Sequence, residues 1–275
     1  MYKRQFYNSE RLKYNQMNYN NDVELDNFCS QCLLVINAVG PSFKINDKIA
    51  LHALRNNCHY IDIGGYGILR DLLKPYEKSI EAQKLCFIIG VGWMPGISGV
   101  FSKTIIETHL NSPENTNFNI YYGAVDNWSY SSTYDLAASS MGKTRSYVYS
   151  HGKEIQVSPF RYTHHKFFPF IGHKKICMPS FDEQLTQLAT SLKQIRKIST
   201  FIMLNDYISM GKFMFIKIFY KHNLNKATLM LQDDYQRLVK KENKWGSVIC
   251  QVSKIEPERK IDTFYYLYTK NNLLY

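Results

Sequence analysis

The stretch LLVINAVGPS, residues 33–42, decides how the first half of this chain is read. LLVINAV is a continuous apolar run, the pattern of a strand buried on both faces of a parallel sheet. Gly40-Pro41 ends it in a tight turn of the kind that lies beside a nucleotide. No glycine occurs before Gly40, so the sequence ahead of the strand does not hold the glycine-rich phosphate loop that such a strand normally serves.

Downstream, strand and helix alternate. INDKIALHALRNN (45–57) sets Ile45, Ile49 and Ala53, with Leu51 and Leu54, at helical spacing, and Asn56-Asn57 closes the helix. CHYIDI (58–63) reads as a second short strand. GGYG (64–67) breaks the chain, a helix is predicted over 68–84, and LCFIIG (85–90) is a third strand ending at Gly90. This βαβαβ pattern predicts three adjacent parallel strands, right-handed crossovers and a doubly wound sheet with helices on both faces. Ligands bind such sheets outside the carboxyl ends of the strands, which singles out NAVGPS, DIGGYG and GVGWMPGISG. Glycines there permit close backbone approach to a ligand, although tight turns alone would account for any single segment.

The whole chain has 275 residues, 45% of them hydrophobic and 15% aromatic, ample for one large or two small buried cores. The longest uncharged run, residues 85–102, is interrupted by Gly90, Gly92, Pro95, Gly96 and Gly99 and reads as strand, loop and helix start, so no membrane partner is expected. MYKRQFYNSERLKYNQ has no apolar run suited to secretion, and six irregularly spaced cysteines suit reduced thiols, which points to the cytoplasm. The formal charge of +11 is dispersed, without a nucleic-acid motif, so no nucleic-acid partner is expected. An anionic cofactor suits the charge equally well.

VINAVGPS, NNCHYIDIGGYG and FIIGVGWMPGISGVF, taken together, resemble the saccharopine dehydrogenase (saccharopine reductase) family, with its Asn-x-x-Gly-Pro turn, His-Tyr-x-Asp strand end and Gly-x-x-Pro-Gly turn entering a helix. The match covers residues 33 to about 103. The resemblance implies a Rossmann-type domain for a nicotinamide dinucleotide, usually NADP(H), joined to a second α+β domain that holds the substrate and helps to form a homodimer. It implies oxidation or reduction of a carbon–nitrogen bond in a small amino-acid-derived, opine-like substrate. Cofactor contacts would then come from Asn37, Ala38, Val39, Gly40, Pro41, Asp62, Gly64, Gly65, Gly92, Pro95 and Gly96. Tyr66 and Trp93, in the same turns, would be substrate contacts. In the family a strand, a glycine-rich loop and a helix precede the matched stretch, and this chain begins too late to contain them. Residues 2–6 would be the end of the second strand, followed by a third near 12–23 and a helix over 24–30. Lys3 and Arg4 would then meet a ribose 2′-phosphate, or else belong to a frayed basic terminus.

The second half changes pattern. NFNIYYGAV is strand-like, STYDLAASSMG a helix, SYVYSHGKEIQVSPF a hairpin turning at His151-Gly152, SFDEQLTQLATSLKQ a capped helix, and GSVICQVSKI with IDTFYYLYT closes the chain. The fold class is therefore α/β: a partial doubly wound, Rossmann-like parallel sheet over 1–112 and an α+β domain over 113–275, from which a last Rossmann strand could return. GAVDNWSYSSTYD (123–135) concentrates Asp126, Trp128, Tyr130, Tyr134 and Asp135 after a strand. Imine chemistry needs a proton donor and anchors, with Asp126 as the catalytic candidate and Trp128, Tyr130 and Tyr134 as substrate contacts; an aromatic junction between subdomains is the alternative. Tyr162 and Lys166 have a short-chain-dehydrogenase spacing in a segment that does not read as a helix. Cys29-x-x-Cys32 reads as packing, and His164, His165, His173 and Cys177 lack metal-site spacing, so no metal is expected. Two functions stay open: an NADP(H)-dependent oxidoreductase, or a non-catalytic remnant or binding module of the same fold.

Overall fold

The computed structural model describes residues 13–65, 67–110, 113–141, 146–180 and 183–270. Helix α1 (Asp22–Cys29) comes first. Residues 13–20, where a strand was expected, form none: Asn21 caps α1 by accepting from Val23 N and Glu24 N, and this local cap commits the segment to a helix entry. Strands β1 (Leu34–Asn37), β2 (His59–Asp62) and β3 (Phe87–Ile89) follow as one parallel sheet in the order β1-β2-β3, with Ile36 beside Ile61 and Ile61 beside Ile88. The three apolar runs thus pair as their sequence predicts.

The crossovers differ in detail. The helix expected over 45–57 is two: α2 (Ser42–Ile45) and α3 (Lys48–Arg55), parted at Asn46, whose φ is 51°. The one expected over 68–84 is α4 (Gly67–Leu73), a 3-10 turn (Lys74–Tyr76) and α5 (Glu77–Ala82), because Pro75 has no N–H to continue the helical ladder. Leu25 and Cys29 of α1 pack with Ile49, Ala50 and Ala53 of α3 against Val35 and Tyr60. The opposite face of the sheet is open: Leu34, Ile36 and Ile88 are 41%, 61% and 47% exposed. Burial on both faces, expected for LLVINAV, therefore holds on one face only, since α1 and α3 cover the same side.

Helix α6 (Ile97–His109) leads into an eight-stranded mixed sheet. In chain order the remaining elements are β4 (Thr116–Val125), α7 (Tyr130–Met141), β5 (Tyr147–Ser150), β6 (Lys153–Gln156), α8 (Pro159–Tyr162), β7 (His164–Phe168), β8 (His173–Pro179), α9 (Glu183–Ser191), β9 (Lys197–Leu204), α10 (Tyr207–Phe219), α11 (Leu224–Lys241), β10 (Trp245–Ile255) and β11 (Lys260–Lys270). The sheet order is β11-β10-β4-β9-β5-β6, with β8 also on β9 and β7 on β8. Among the described residues of this sheet β4 and β9 run parallel and the other pairs are antiparallel. One face of the sheet, with Phe118, Ile120, Ile198 and Val248, packs on Ile105 and Ile106 of α6 and Leu185 of α9. The other gathers Tyr121, Phe168, Phe201, Trp245 and Ile249. Among the described residues, no strand of the C-terminal half joins the parallel sheet. No helix among them is long and apolar enough to cross a membrane.

Candidate functional site

The carboxyl ends of β1, β2 and β3 lie side by side, and one carboxylate ties the first two together. Asn37, 5% exposed, donates from Nδ2 to Asp62 Oδ2 (2.7 Å) and to the Tyr60 hydroxyl (3.0 Å), while its Oδ1 accepts from Val39 N (3.0 Å). The Tyr60 hydroxyl donates to Asp62 Oδ2 (2.8 Å), and Gly65 N donates to Asp62 Oδ1. Burial, with the Asp62 charge beside it, pushes the Tyr60 phenol far above its ordinary range. Tyr60 is therefore a fixed donor. The network sets the backbone of Asn37-Ala38-Val39 and of the Asp62–Gly65 turn in one rigid wall.

Helix α2 opens directly after Pro41, and its first amides are taken. Asp135 of α7 accepts from Ser42 N (2.9 Å) and Phe43 N (3.2 Å). Burial raises the Asp135 carboxyl above its ordinary pKa, and the two N–H bonds offset only part of that. One helical turn earlier Ser131 meets the β1 turn: a Cβ on Gly40 would stand 2.8 Å from Ser131 Cβ. Lys44 of α2 lies 4.5 Å over the Tyr134 ring and 5.7 Å over that of Tyr130. The Tyr130 hydroxyl also donates to Asn225 Oδ1 (2.9 Å).

The third turn, 90–96, is held from both sides. Val91 N donates to the Asp62 carbonyl (3.0 Å) and Ile97 N to the Gly92 carbonyl (2.9 Å). Gly96 has φ 128°, and a Cβ there would collide with the Gly92 carbonyl, so this tight turn requires glycine. Gly96 N donates to Gln184 Oε1 of α9 (2.8 Å). Trp93 and Met94 pack into the core of the mixed sheet. Between the first two turns lies a small, shallow cleft, partly open to solvent, lined by Asn37, Ser42, Phe43, Asn46, Asp62 and Gly65.

Of the residues singled out by sequence, the structure brings together Asn37, Ala38, Val39, Gly40, Pro41, Asp62, Gly64 and Gly65, with Gly92, Pro95 and Gly96 on the neighbouring strand end and Tyr130 and Tyr134 against α2. Asp126 and Trp128 engage other elements. Asp126, 2% exposed, accepts on Oδ1 from Lys244 Nζ (2.8 Å) and Asn127 N (2.7 Å), and its Oδ2 is buried without a protein partner. Trp128 stacks on Tyr235 of α11 at 4.6 Å. Arg4 and Tyr66 lie outside the described residues. Tyr162 and Lys166 form no pair: Lys166 donates to Gln251 (2.8 Å), and Tyr162 accepts from Lys197 (3.5 Å). Cys29 is buried, with its thiol pushed up to about 11 by desolvation, the Cys58 Sγ–H pointing to the Cys29 and Cys32 carbonyls at 3.1 Å each. No cluster that could hold a metal occurs among the described residues.

Sequence reasoning assigned no role to Lys44 or Gln184, and it named Asp135 among the polar residues after β4 without its contact to α2. The spacing of Ser131 and Asp135, four apart on a helix, places both on one face and was the available signal for the first contact.

No family model and no curated protein matches the chain. Among solved structures, 90% of it aligns with 66% of a dehydrogenase (MviM) from Clostridium difficile, at TM-score 0.35 and 7% identity. A second alignment covers 90% of this chain and 70% of yvaA, described as an oxidoreductase of Bacillus subtilis, at TM-score 0.34 and 6% identity. The chain thus spans about two thirds of the length of these proteins. At such scores neither likeness bears on the site, and the Rossmann-like reading rests on strand order, parallel pairing and the turns themselves.

A dinucleotide sets two requirements here: a wall for the nicotinamide ribose and free N–H groups for the pyrophosphate. The wall exists. Val39, Ile63 and Val91, one at each strand end, are 40%, 43% and 49% exposed beside rigid turns. The anion seat does not fit among the described residues, because Ser42 N and Phe43 N are bound by Asp135, Gly65 N by Asp62 and Gly96 N by Gln184.

Proposed function

We propose that this chain belongs to an oxidoreductase of saccharopine dehydrogenase type, working in the cytoplasm with NADP(H) on a carbon–nitrogen bond of a small amino-acid-derived substrate. One observation carries the reading: three parallel strand ends bear the Asn-x-x-Gly-Pro, His-Tyr-x-Asp and Gly-x-x-Pro-Gly turns in the order β1-β2-β3, joined through Asn37 and Asp62. In this reading the 37–41 and 92–96 turns face the nicotinamide half of the dinucleotide, with Tyr130, Tyr134 and Lys44 on the substrate side. Residues 113–275 form the substrate domain and the homodimer contact.

A second reading, a non-catalytic binding module, is favoured by the Asp135 carboxylate on the α2 amides and by the Lys244 pair that occupies Asp126. Calorimetric titration of the 275-residue chain with NADPH separates the two, with circular dichroism as the folding control. Micromolar affinity supports the oxidoreductase. Absence of binding up to millimolar NADPH, a loss of several kcal/mol, supports the module.

A further inference from the structure

Helix α10 is largely apolar, yet one long side of it lies on the surface. Ser209, Phe213 and Ile216 are buried and fix its inward side. At about 100° per residue, Ile208, Gly211, Phe215, Ile218 and Phe219 fall together on the opposite side. They are exposed there: Ile218 and Phe219 are each 65% accessible, Ile208 51% and Phe215 39%, with Tyr207 at 64% on the same arc. Phe215 packs against Phe219 with ring centroids 4.5 Å apart, which makes the stripe continuous. An amphipathic surface helix shows polar residues on this side, so an unbroken apolar arc marks a surface built to be covered.

Charge decides what covers it. Residues 207–226, YISMGKFMFIKIFYKHNLNK, hold Lys212, Lys217, Lys221 and Lys226 with His222, and no Asp or Glu. The acidic groups facing this helix from α11, Asp233 and Asp234, are already paired with Lys212, at 2.8 and 3.4 Å. Lys221, His222 and Lys226 are exposed at the end where Ile218 and Phe219 project. Two copies of the face would set like charges against each other. A negatively charged apolar medium meets both demands, since acyl chains accept the aromatic stripe and headgroups the cations.

We propose that the outward side of α10 docks on an anionic phospholipid bilayer, with the helix lying in the plane of the interface. The longest uncharged run of the sequence, residues 85–102, is broken by glycines and a proline and does not suggest a membrane span; α10 instead offers an exposed apolar side next to exposed lysines. This binding is independent of the cofactor reading.

The test is flotation of the 275-residue chain with vesicles of phosphatidylcholine containing about 30 mol% phosphatidylserine, against vesicles of phosphatidylcholine alone. The bound fraction is expected to be at least about tenfold higher on the anionic vesicles, and to fall as salt shortens the Debye length from about 10 Å at 0.1 M to about 3 Å at 1 M. A double variant, Ile218→Glu with Phe219→Glu, replaces two side chains that face solvent; it should lose at least tenfold in binding with an unchanged circular-dichroism spectrum. Lys221→Glu with Lys226→Glu should remove the preference for anionic lipid. Equal binding to both vesicle types, no binding to either, or full binding by the double variant overturns the proposal. A wild-type dimer that the double variant splits, without vesicle binding, assigns the face to a second copy and overturns it as well.

Discussion

Replacing Asp135 with alanine tests whether one side chain joins the parallel sheet to the mixed sheet. Its carboxylate accepts two backbone N–H bonds, from Ser42 at 2.9 Å and Phe43 at 3.2 Å, and it is 6% exposed, so water does not take its place without local opening. Each bond to a charged acceptor contributes about 1.5 kcal/mol at the low end of the usual range, and relief of a buried charge returns about 1 kcal/mol. The net loss is about 2 kcal/mol, or roughly 4–8 °C in Tm for a chain of this length. Asp135→Asn keeps one acceptor without the charge and should lose about half as much. The sign of the pH effect is opposite to that of an ordinary ion-paired carboxylate. Burial raises the folded pKa above the ordinary 3.8, so the folded state holds this proton to higher pH than the unfolded one. The contribution of Asp135 is therefore greatest below 3.8 and diminishes as pH rises through the raised folded value; Asp135→Asn should flatten that part of the stability curve. Thermal melts followed by circular dichroism, across pH, give both readings. A Tm within about 1 °C of wild type for Asp135→Ala would refute the idea that this carboxylate holds α2.

Gly40→Ala should destabilise by about 1–2 kcal/mol, because the added Cβ stands 2.8 Å from Ser131 Cβ. Adding Ser131→Gly should restore at least half of the lost Tm; no restoration would show that the turn tolerates no Cβ for another reason, such as ligand approach. At α10, burial pushes the Asp206 carboxyl up, but the Arg237 guanidinium and Ser209 N–H outweigh it and hold the pKa at about 2. A depressed folded pKa gives stability that is present above about 3.8 and lost as pH falls through 2. Asp206→Asn should cost about 1–2 kcal/mol at pH 7, discounted for partial exposure, and almost nothing near pH 2. Equal losses in Tm at the two pH values would contradict this.

Much of the fold was legible because local signals carried it. Three apolar runs with turn residues after them became three parallel strands, whereas the breaks at Asn46 and Pro75 fall inside crossovers that read as single helices. What covers a strand was not legible. An apolar run such as LLVINAV shows that both faces are suited to burial, and only the placement of α1 and α3 shows that Ile36 faces outward. The site was legible in its turns and not in their partners. Asp135 meets Ser42 across 93 residues and Gln184 meets Gly96 across 88, contacts that depend on how the two sheets pack and leave no periodic trace.

Those two long-range contacts also restrict where an anion can bind. The N–H groups that a Rossmann crevice offers to a pyrophosphate are here matched to Asp135, Asp62 and Gln184, and two of these acceptors are carboxylates beside the cleft. Displacing Asp135 by a phosphate would exchange one anion for another at a buried site, with little gain in electrostatic energy and the loss of the contact to α7. The free position is elsewhere. Among the described residues β1 pairs with β2 alone, so none of them pairs with its outer edge, and Ile36, 61% exposed, stands on that edge strand. A doubly wound sheet binds its ligand where strand order reverses, and for the order β1-β2-β3 that reversal belongs at the free edge of β1. An element lying along that edge would bring backbone amides to a pyrophosphate while leaving Asp135 in place.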